Sequence, residues 1–280
     1  MIIEKAYAKL NLALSILGKR TDGFHELESI MVPIVDLYDE LMFEENETDE
    51  FIILDSSIEN NSILKAATAF QNKYHTKGAK IRLIKRIPLE AGLAGGSADS
   101  SATLRGLNRL FNLNIPLNEL EELALSLGSD NVFCLYNKAA ICRGRGEKLT
   151  FIDNDFEFKI TLIRPSFGLL TRDVFANLEL DDCQKYNRTL ILKALKENNR
   201  ELLIENIYND LLKPAIKVDK RIKNIIDLVE KTGNKCFMSG SGSALFVIGN
   251  LDIKLTEYVC FGKHLVKNNV NDWLKINKGL

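Results

Sequence analysis

The chain has 280 residues, with 37 Lys and Arg against 38 Asp and Glu, so its formal net charge is −1. That length supports one large domain or two packed halves, and the charge balance excludes a global basic field of the kind that draws nucleic acid or an anionic membrane. Five scattered cysteines, none in a C-x-x-C pair, and three histidines make neither a disulfide framework nor a zinc signature. The amino terminus passes straight into a strand pattern and no apolar run reaches bilayer length, so a soluble, cytoplasmic protein is expected, with neither nucleic acid nor membrane as partner. No feature speaks to oligomeric state.

The first strand is legible from alternation: Ala8, Leu10, Leu12, Leu14 and Ile16 share one face, and Lys9, Asn11, Ala13 and Ser15 the other. Lys9 and Asn11 therefore point the same way, onto a face that is solvated by default. A turn from Gly18 to Gly23 leads through Phe24 and His25 into the apolar residues 30–35. Residues 44–50 are acidic and predict a solvated hairpin turn. Asn61 or Ser62 can cap a helix carrying Ile63, Leu64, Ala67, Phe70 and Tyr74, and residues 80–87 read as a strand.

That strand feeds Pro88-Leu89-Glu90-Ala91-Gly92-Leu93-Ala94-Gly95-Gly96-Ser97 and then a helix with Ala98, Ala102, Leu104, Leu107 and Phe111 on its buried face. Three glycines within five residues allow positive φ and close backbone approach, while a helix start offers unpaired N–H groups to an anion. The segment reads as a phosphate cradle, with a ligand-free glycine turn as the alternative. It is not a P-loop, because the Gly-Lys-Ser/Thr ending is missing.

Asn118-Glu119-Leu120-Glu121 follows the capping-box pattern and opens a helix that Gly128 can end, with Asp130 just beyond, where a turn or N-cap role is the ordinary one. Residues 138–142 read as a strand and Gly144-Arg145-Gly146 as a turn. The alternation of Phe156, Phe158, Ile160 and Leu162 changes the texture of the chain and puts a domain boundary near residue 153. Helices are expected over 187–197, 199–212 and 218–231, then strands over 235–238 and 244–248. Between those strands Ser239-Gly240-Ser241-Gly242-Ser243 makes, on its own terms, a tight hairpin. The mixed order of strands and helices argues for α+β.

Ala8-Lys9-Leu10-Asn11-Leu12, the run from Gly18 to Leu27, the loop from Pro88 to Ser97, Gly128-Ser129-Asp130, Gly144-Arg145-Gly146-Glu147 and residues 238–243 together resemble the GHMP kinases, in family order and over nearly the whole chain. The Gly-Lys-Arg-x-Asp-Gly-aromatic-His-Glu run is similar to the branch whose acceptor alcohol carries a cytidylyl group. The resemblance implies a two-domain α+β GHMP kinase fold. Residues 1–153 would form the ATP-binding, ribosomal protein S5 domain 2-like half and residues 154–280 the GHMP kinase α/β-plait half, with the active site in the cleft between them. It implies ATP as co-substrate, Mg2+ held mainly by nucleotide phosphates, no metal ligand from the protein, and a place in isoprenoid precursor synthesis.

Residue by residue, the resemblance makes Asp130 the group that orients or deprotonates the alcohol and Lys9 its cationic companion. Asn11 would bond the polyol. Phe24 would stack on the cytosine and His25 read its edge, with Thr171 and Phe175 as the other wall, although Phe175 reads equally well as core. At the ATP side it implicates Asn61, Pro88, Gly92, Leu93, Ala94, Gly95, Gly96, Ser97 and Ser100, with Lys65 or Lys85 nearer the adenosine, while Ser239, Gly240, Ser241 and Gly242 line the cleft. Three positions depart from the family pattern. Glu90 replaces a small residue: aimed at the phosphates its carboxylate would repel them, and the alternative is that it turns to solvent. Asn131-Val132 lacks the usual proline, which loosens the turn before it, and Leu212 stands where glutamate is usual.

Overall fold

The computed structural model describes residues 1–54, 62–152, 155–184, 186–251 and 259–266; Asn61 and the expected boundary at residue 153 lie outside them. Two compact units take alternate stretches of the chain. The first comprises Met1–Ala8, Leu37–Ile87 and Ala94–Asn137, the second Lys9–Asp36, Pro88–Leu93 and Lys138–Leu280. Strands β1 (Ile2–Lys19) and β2 (His25–Glu45) each contribute to both.

In the first unit the later part of β2 pairs antiparallel with β4 (Ala79–Ile84), and β3 (Ile52–Leu54) adds to β4 in parallel. Because β4 lies between β2 and β3, the acidic residues 44–50 are not a hairpin turn but a link. The Asn46 side chain pins that link by donating to the Glu50 carbonyl at 3.0 Å. Helices α1 (Ser62–Tyr74), α2 (Gly95–Leu110), α3 (Leu117–Leu127) and α4 (Ser129–Tyr136) complete the unit. Extended Pro116 sets the start of α3, so Asn118 falls inside the helix and caps nothing.

Helix α2 is encased along most of its length. Its Arg105 donates to the buried Glu4 carboxylate at 3.0 Å and to the Cys134 carbonyl at 2.8 Å. Arg109 reaches the other Glu4 oxygen at 2.6 Å. A buried ion pair of this kind adds little net stability, but it admits one arrangement only, and so it fixes α2 against the start of β1.

In the second unit β7 (Glu157–Arg164) runs antiparallel between β10 (Leu245–Ile248) and β11 (Val259–Val266), a strand that no sequence signal announced. Strand β9 (Phe237–Met238) forms the expected hairpin with β10. The early part of β2 pairs with β5 (Ala140–Gly144), which pairs with β6 (Lys148–Phe151). Helices α5 (Thr171–Ala176), α8 (Leu212–Val218) and α9 (Arg221–Glu230) contribute to a core that includes Leu14, Ile16, Val174, Leu211, Ile222 and Met238, and α6 (Arg188–Lys196) and α7 (Arg200–Asn206) complete the helices of this unit.

The single helix expected over 199–212 is two. Helix α7 stops at Asn206, and Tyr208 and Asn209 extend as β8 to pair in parallel with Ala13 and Leu14 of β1. The Asp210 carboxylate takes the Ile16 N–H at 2.7 Å and the Gln184 N–H at 3.0 Å, bonds a continuous helix could not satisfy. Strand β1 is buried on both faces: Lys9, Asn11 and Ser15 are as buried as the leucines beside them.

Candidate active site

The polar face of β1 is not solvated, and its residues hold one another. The Lys9 ammonium donates to Asn11 Oδ1 at 2.6 Å, Asn11 Nδ2 donates to Ser29 Oγ at 2.8 Å, and Ser29 Oγ donates to the Ala13 carbonyl at 2.6 Å. The Asn11 backbone N–H reaches Ser239 Oγ at 3.4 Å, and that hydroxyl donates to the Gly92 carbonyl at 3.2 Å. The glycine loop and the Ser239–Gly242 loop therefore meet beside Lys9.

Two glycines are required for that approach. A Cβ on Gly92, whose φ is +70°, would lie 2.3 Å from the Ser239 carbonyl oxygen, and one on Gly240 would lie 3.0 Å from Lys9 Nζ. Asn209 holds the second loop in place by donating to the Met238 and Gly240 carbonyls, both at 2.9 Å. In the sequence Asn209-Asp210-Leu211 resembles a family motif usually followed by glutamate, a resemblance that marked Asn209 without giving it a role. Thr171 shares a hydrogen bond with Ser241 at 2.9 Å. Of the two dispositions open to Glu90 the exposed one is found, with its side chain along the Gly168 backbone and its carbonyl facing Leu169 N at 3.4 Å. Leu93 accepts the Lys9 N–H at 3.1 Å, while Pro88 is half-buried.

After β1 the chain turns through Arg20–Phe24. Arg20 engages both Asp22 and Glu26, and this bond holds the Asp22 carboxyl below its usual range. Phe24 is left 49% exposed. His25 stacks on Phe175, with ring centroids 5.0 Å apart and planes 27° from parallel. Phe175 also packs against the core of this unit, so both readings of it hold. Burial first, then the charge of Lys19, lower the His25 pKa, leaving a neutral ring at pH 7. A neutral imidazole has one donor and one acceptor, the pair needed to read the edge of a base.

In the first unit the start of α2 carries no side-chain cap: Ala94 is left-handed at φ 58°, Gly96 is exposed, and Gly95 and Ser97 are partly so. Unpaired N–H groups of that first turn are available to an anion. Ser100 is committed elsewhere, its hydroxyl donating to the Ser62 carbonyl at 3.2 Å. Lys85 reaches the same turn, since a Cβ on Gly95 would be 3.0 Å from its Nζ. Its ammonium sits between two buried carboxylates, Asp39 at 2.5 Å and Asp99 at 2.8 Å, and Asp39 also accepts the Ile87 N–H at 2.8 Å. Asp39 and Asp99 carried no recognisable pattern in the sequence.

Asp130 lies in the first turn of α4, half-buried, with Gly128 both ending α3 and preceding α4. The missing proline does not leave the turn loose. The Asn131 N–H closes on the Gly128 carbonyl at 3.2 Å, and Ser101 of α2 donates to the Asn131 carbonyl at 2.7 Å.

Burial, partly offset by Lys85, pushes the Asp99 carboxyl up to about 7, and Oδ1 has no hydrogen-bond partner. The folded chain therefore keeps this proton over a range, from about 4 to about 7, in which an unfolded aspartate has lost it. Stability must fall as pH rises through that window. Asp99→Asn is expected to remove this fall, so that the melting temperature of the variant minus that of the wild type climbs between pH 5 and pH 8. Parallel melting curves across the window would show that Asp99 ionises normally.

Comparison with known proteins bears on both units. The family model described as GHMP kinases N terminal domain matches residues 61–138, and that described as GHMP kinases C terminal matches residues 191–254. A protein of Staphylococcus haemolyticus named "Putative 4-diphosphocytidyl-2-C-methyl-D-erythritol kinase" is 40% identical over 256 residues, covering 88% of this chain and 89% of its own. A crystal structure of 4-(cytidine 5'-diphospho)-2C-methyl-D-erythritol kinase matches with a TM-score of 0.81 at 27% identity, over 95% of this chain and 100% of that one. Homoserine kinase from Cytophaga hutchinsonii, at 15% identity and a TM-score of 0.67 over 94% of each chain, shares the fold.

Proposed function

The chain belongs to the GHMP kinase family, and from that premise we propose that it transfers the γ-phosphoryl group of ATP to the 2-hydroxyl of 4-diphosphocytidyl-2-C-methyl-D-erythritol, giving ADP and the 2-phosphate. One observation carries the reading. Strand β1 and the turn after it join a buried Lys9–Asn11 pair, bonded at 2.6 Å, to an exposed Phe24 and a His25 stacked on Phe175. The first is suited to a reacting phosphoryl group and the second to a nucleobase, whose stacking is worth about 1–3 kcal/mol.

Phosphoryl transfer to an alcohol needs the hydroxyl oriented and relieved of its proton, and positive charge where the transferring group develops negative charge. Asp130 takes the first role and Lys9 the second. Asn11 serves mainly to hold Lys9, because its Oδ1 is taken by Lys9 and its Nδ2 already donates to Ser29; one amide hydrogen is left for a polyol. The first turn of α2, with Gly95, Gly96 and Ser97, receives the nucleotide phosphates, and Lys85 stands beside it. Mg2+ held mainly by the nucleotide rather than by side chains of this chain would supply charge neutralisation at the phosphates.

Purified protein given ATP, Mg2+ and the cytidylyl alcohol is expected to release ADP and one new phosphomonoester in equal amounts. Folded protein yielding neither overturns the proposal. Turnover with a different alcohol reassigns the acceptor, and nucleotide binding without turnover makes the chain a nucleotide-binding protein that is not a kinase.

A further inference from the structure

We propose that Arg145 recognises the diphosphate of the acceptor, and so acts as a specificity residue for the phosphorylated half of that substrate; the inference rests on the acceptor proposed above. Arg145 lies in the connection between β5 and β6, half-buried, with its guanidinium carbon 4.5 Å from the centroid of the Phe24 ring. The connection is rigid at that point. The Glu147 carboxylate accepts the Arg145 backbone N–H at 2.5 Å and lies 2.6 Å from where a Cβ on Gly144, at φ +76°, would sit. Glu147 is thereby spent on the backbone of the turn.

The other acids of this surface are spent on other arginines. Asp22 and Glu26 are bonded to Arg20, and Glu28 receives Arg143 and Arg188, both at 2.7 Å. Among the described residues no hydrogen bond is made by the Arg145 guanidinium, and its charge makes only the smallest contribution to the lowering of the Asp22 carboxyl. The attraction of a cation to an exposed aromatic ring is weaker than the rotamer entropy an arginine loses when it is held in one place. Folding stability alone therefore does not account for this placement, and a ligand redirects the group at low cost.

A base that stacks on the open face of Phe24 would bring its own diphosphate within a side chain's length of a guanidinium on the covered face. Paired N–H donors in a planar fork fit phosphate oxygens bidentately. An uncharged alcohol lacks the group that Arg145 would bind.

The test compares wild type, Arg145→Ala and Arg145→Lys, using CDP and cytidine as ligands in ligand-observed NMR and the cytidylyl alcohol in turnover. Arg145→Ala is expected to weaken CDP at least 10-fold and to raise KM for the alcohol by a similar factor. Cytidine binding, KM for ATP, kcat and the melting temperature should stay within about 2-fold or 1 °C, and Arg145→Lys should recover part of the CDP affinity. Equal weakening of CDP and cytidine would mean that Arg145 acts only through the Phe24 ring, and an unchanged CDP affinity would mean that it binds nothing; either overturns the proposal. A rise in KM for ATP alone would assign the guanidinium to the nucleotide phosphates, and also overturns it. If the wild type binds CDP more tightly than cytidine but does not phosphorylate the alcohol, the acceptor assignment fails while the role of Arg145 stands.

Discussion

Asp130→Asn is expected to lower kcat by two to four orders of magnitude while leaving KM for ATP within about 3-fold. The substitution keeps shape and hydrogen-bonding reach but removes the only property that a base needs, the ability to take a proton at neutral pH. General-base assistance is worth about 10²- to 10⁴-fold. Structural damage should be slight, because the turn that carries Asp130 is held by backbone and by Ser101: the Asn131 N–H meets the Gly128 carbonyl at 3.2 Å, and Ser101 meets the Asn131 carbonyl at 2.7 Å. The first turn of α4 also favours an ionised side chain, so the variant gives up some helix-terminus stabilisation, about 0.3–1 kcal/mol. Steady-state kinetics together with a melting curve separate the two losses. Turnover within 10-fold of wild type would take Asp130 out of the chemistry.

Gly92→Ala is expected to destabilise the chain by about 3 kcal/mol or more and to abolish activity. Two costs combine. A left-handed φ of +70° is about 1–2 kcal/mol unfavourable for alanine, and the new Cβ would lie 2.3 Å from the Ser239 carbonyl oxygen and 2.9 Å from that of Gly242. Neither oxygen can retreat easily, because the Asn209 side chain holds the neighbouring Met238 and Gly240 carbonyls at 2.9 Å. Gly96→Ala is the matched control. Its Cβ would find Ser62 Oγ at 3.7 Å, ordinary contact, and alanine suits a helix better than glycine. Urea titrations should place Gly96→Ala at or above wild type and Gly92→Ala well below it. If Gly96→Ala keeps its stability and loses activity, the loss reports crowding of the phosphates. Wild-type stability in Gly92→Ala would mean that the two loops are not locked together.

These outcomes depend on features of unequal legibility. The alternation in β1 placed Lys9 and Asn11 on one face because period two is a local property of extended backbone. Their burial was hidden, since it is supplied by Ser29, Ser239 and β8, residues far away in the chain. The glycine loop was readable because its conformational demands leave a mark at each position. The break at Ile207 was missed for the opposite reason: residues 199–212 have acceptable helix propensity throughout, and only the tertiary bonds of Asn209 and Asp210 forbid the helix. The Asp39–Lys85–Asp99 cluster joins β2, the end of β4 and α2, which no spacing rule connects. For the chemistry, the residue types in family order were enough; for what holds those residues still, the fold was needed.

The burial of both faces of β1 also bears on how such a chain can change over generations. A one-residue insertion or deletion before Lys9 would send the ammonium to the leucine side and a leucine into the polar network, with no solvent-facing register in which to survive. The exposed turn that follows has no such constraint: Phe24 is open, and Arg145 hangs from a separate connection. Drift in the choice of acceptor is therefore expected to accumulate at the turn, one side chain at a time, while the strand that serves the phosphoryl group is inherited whole.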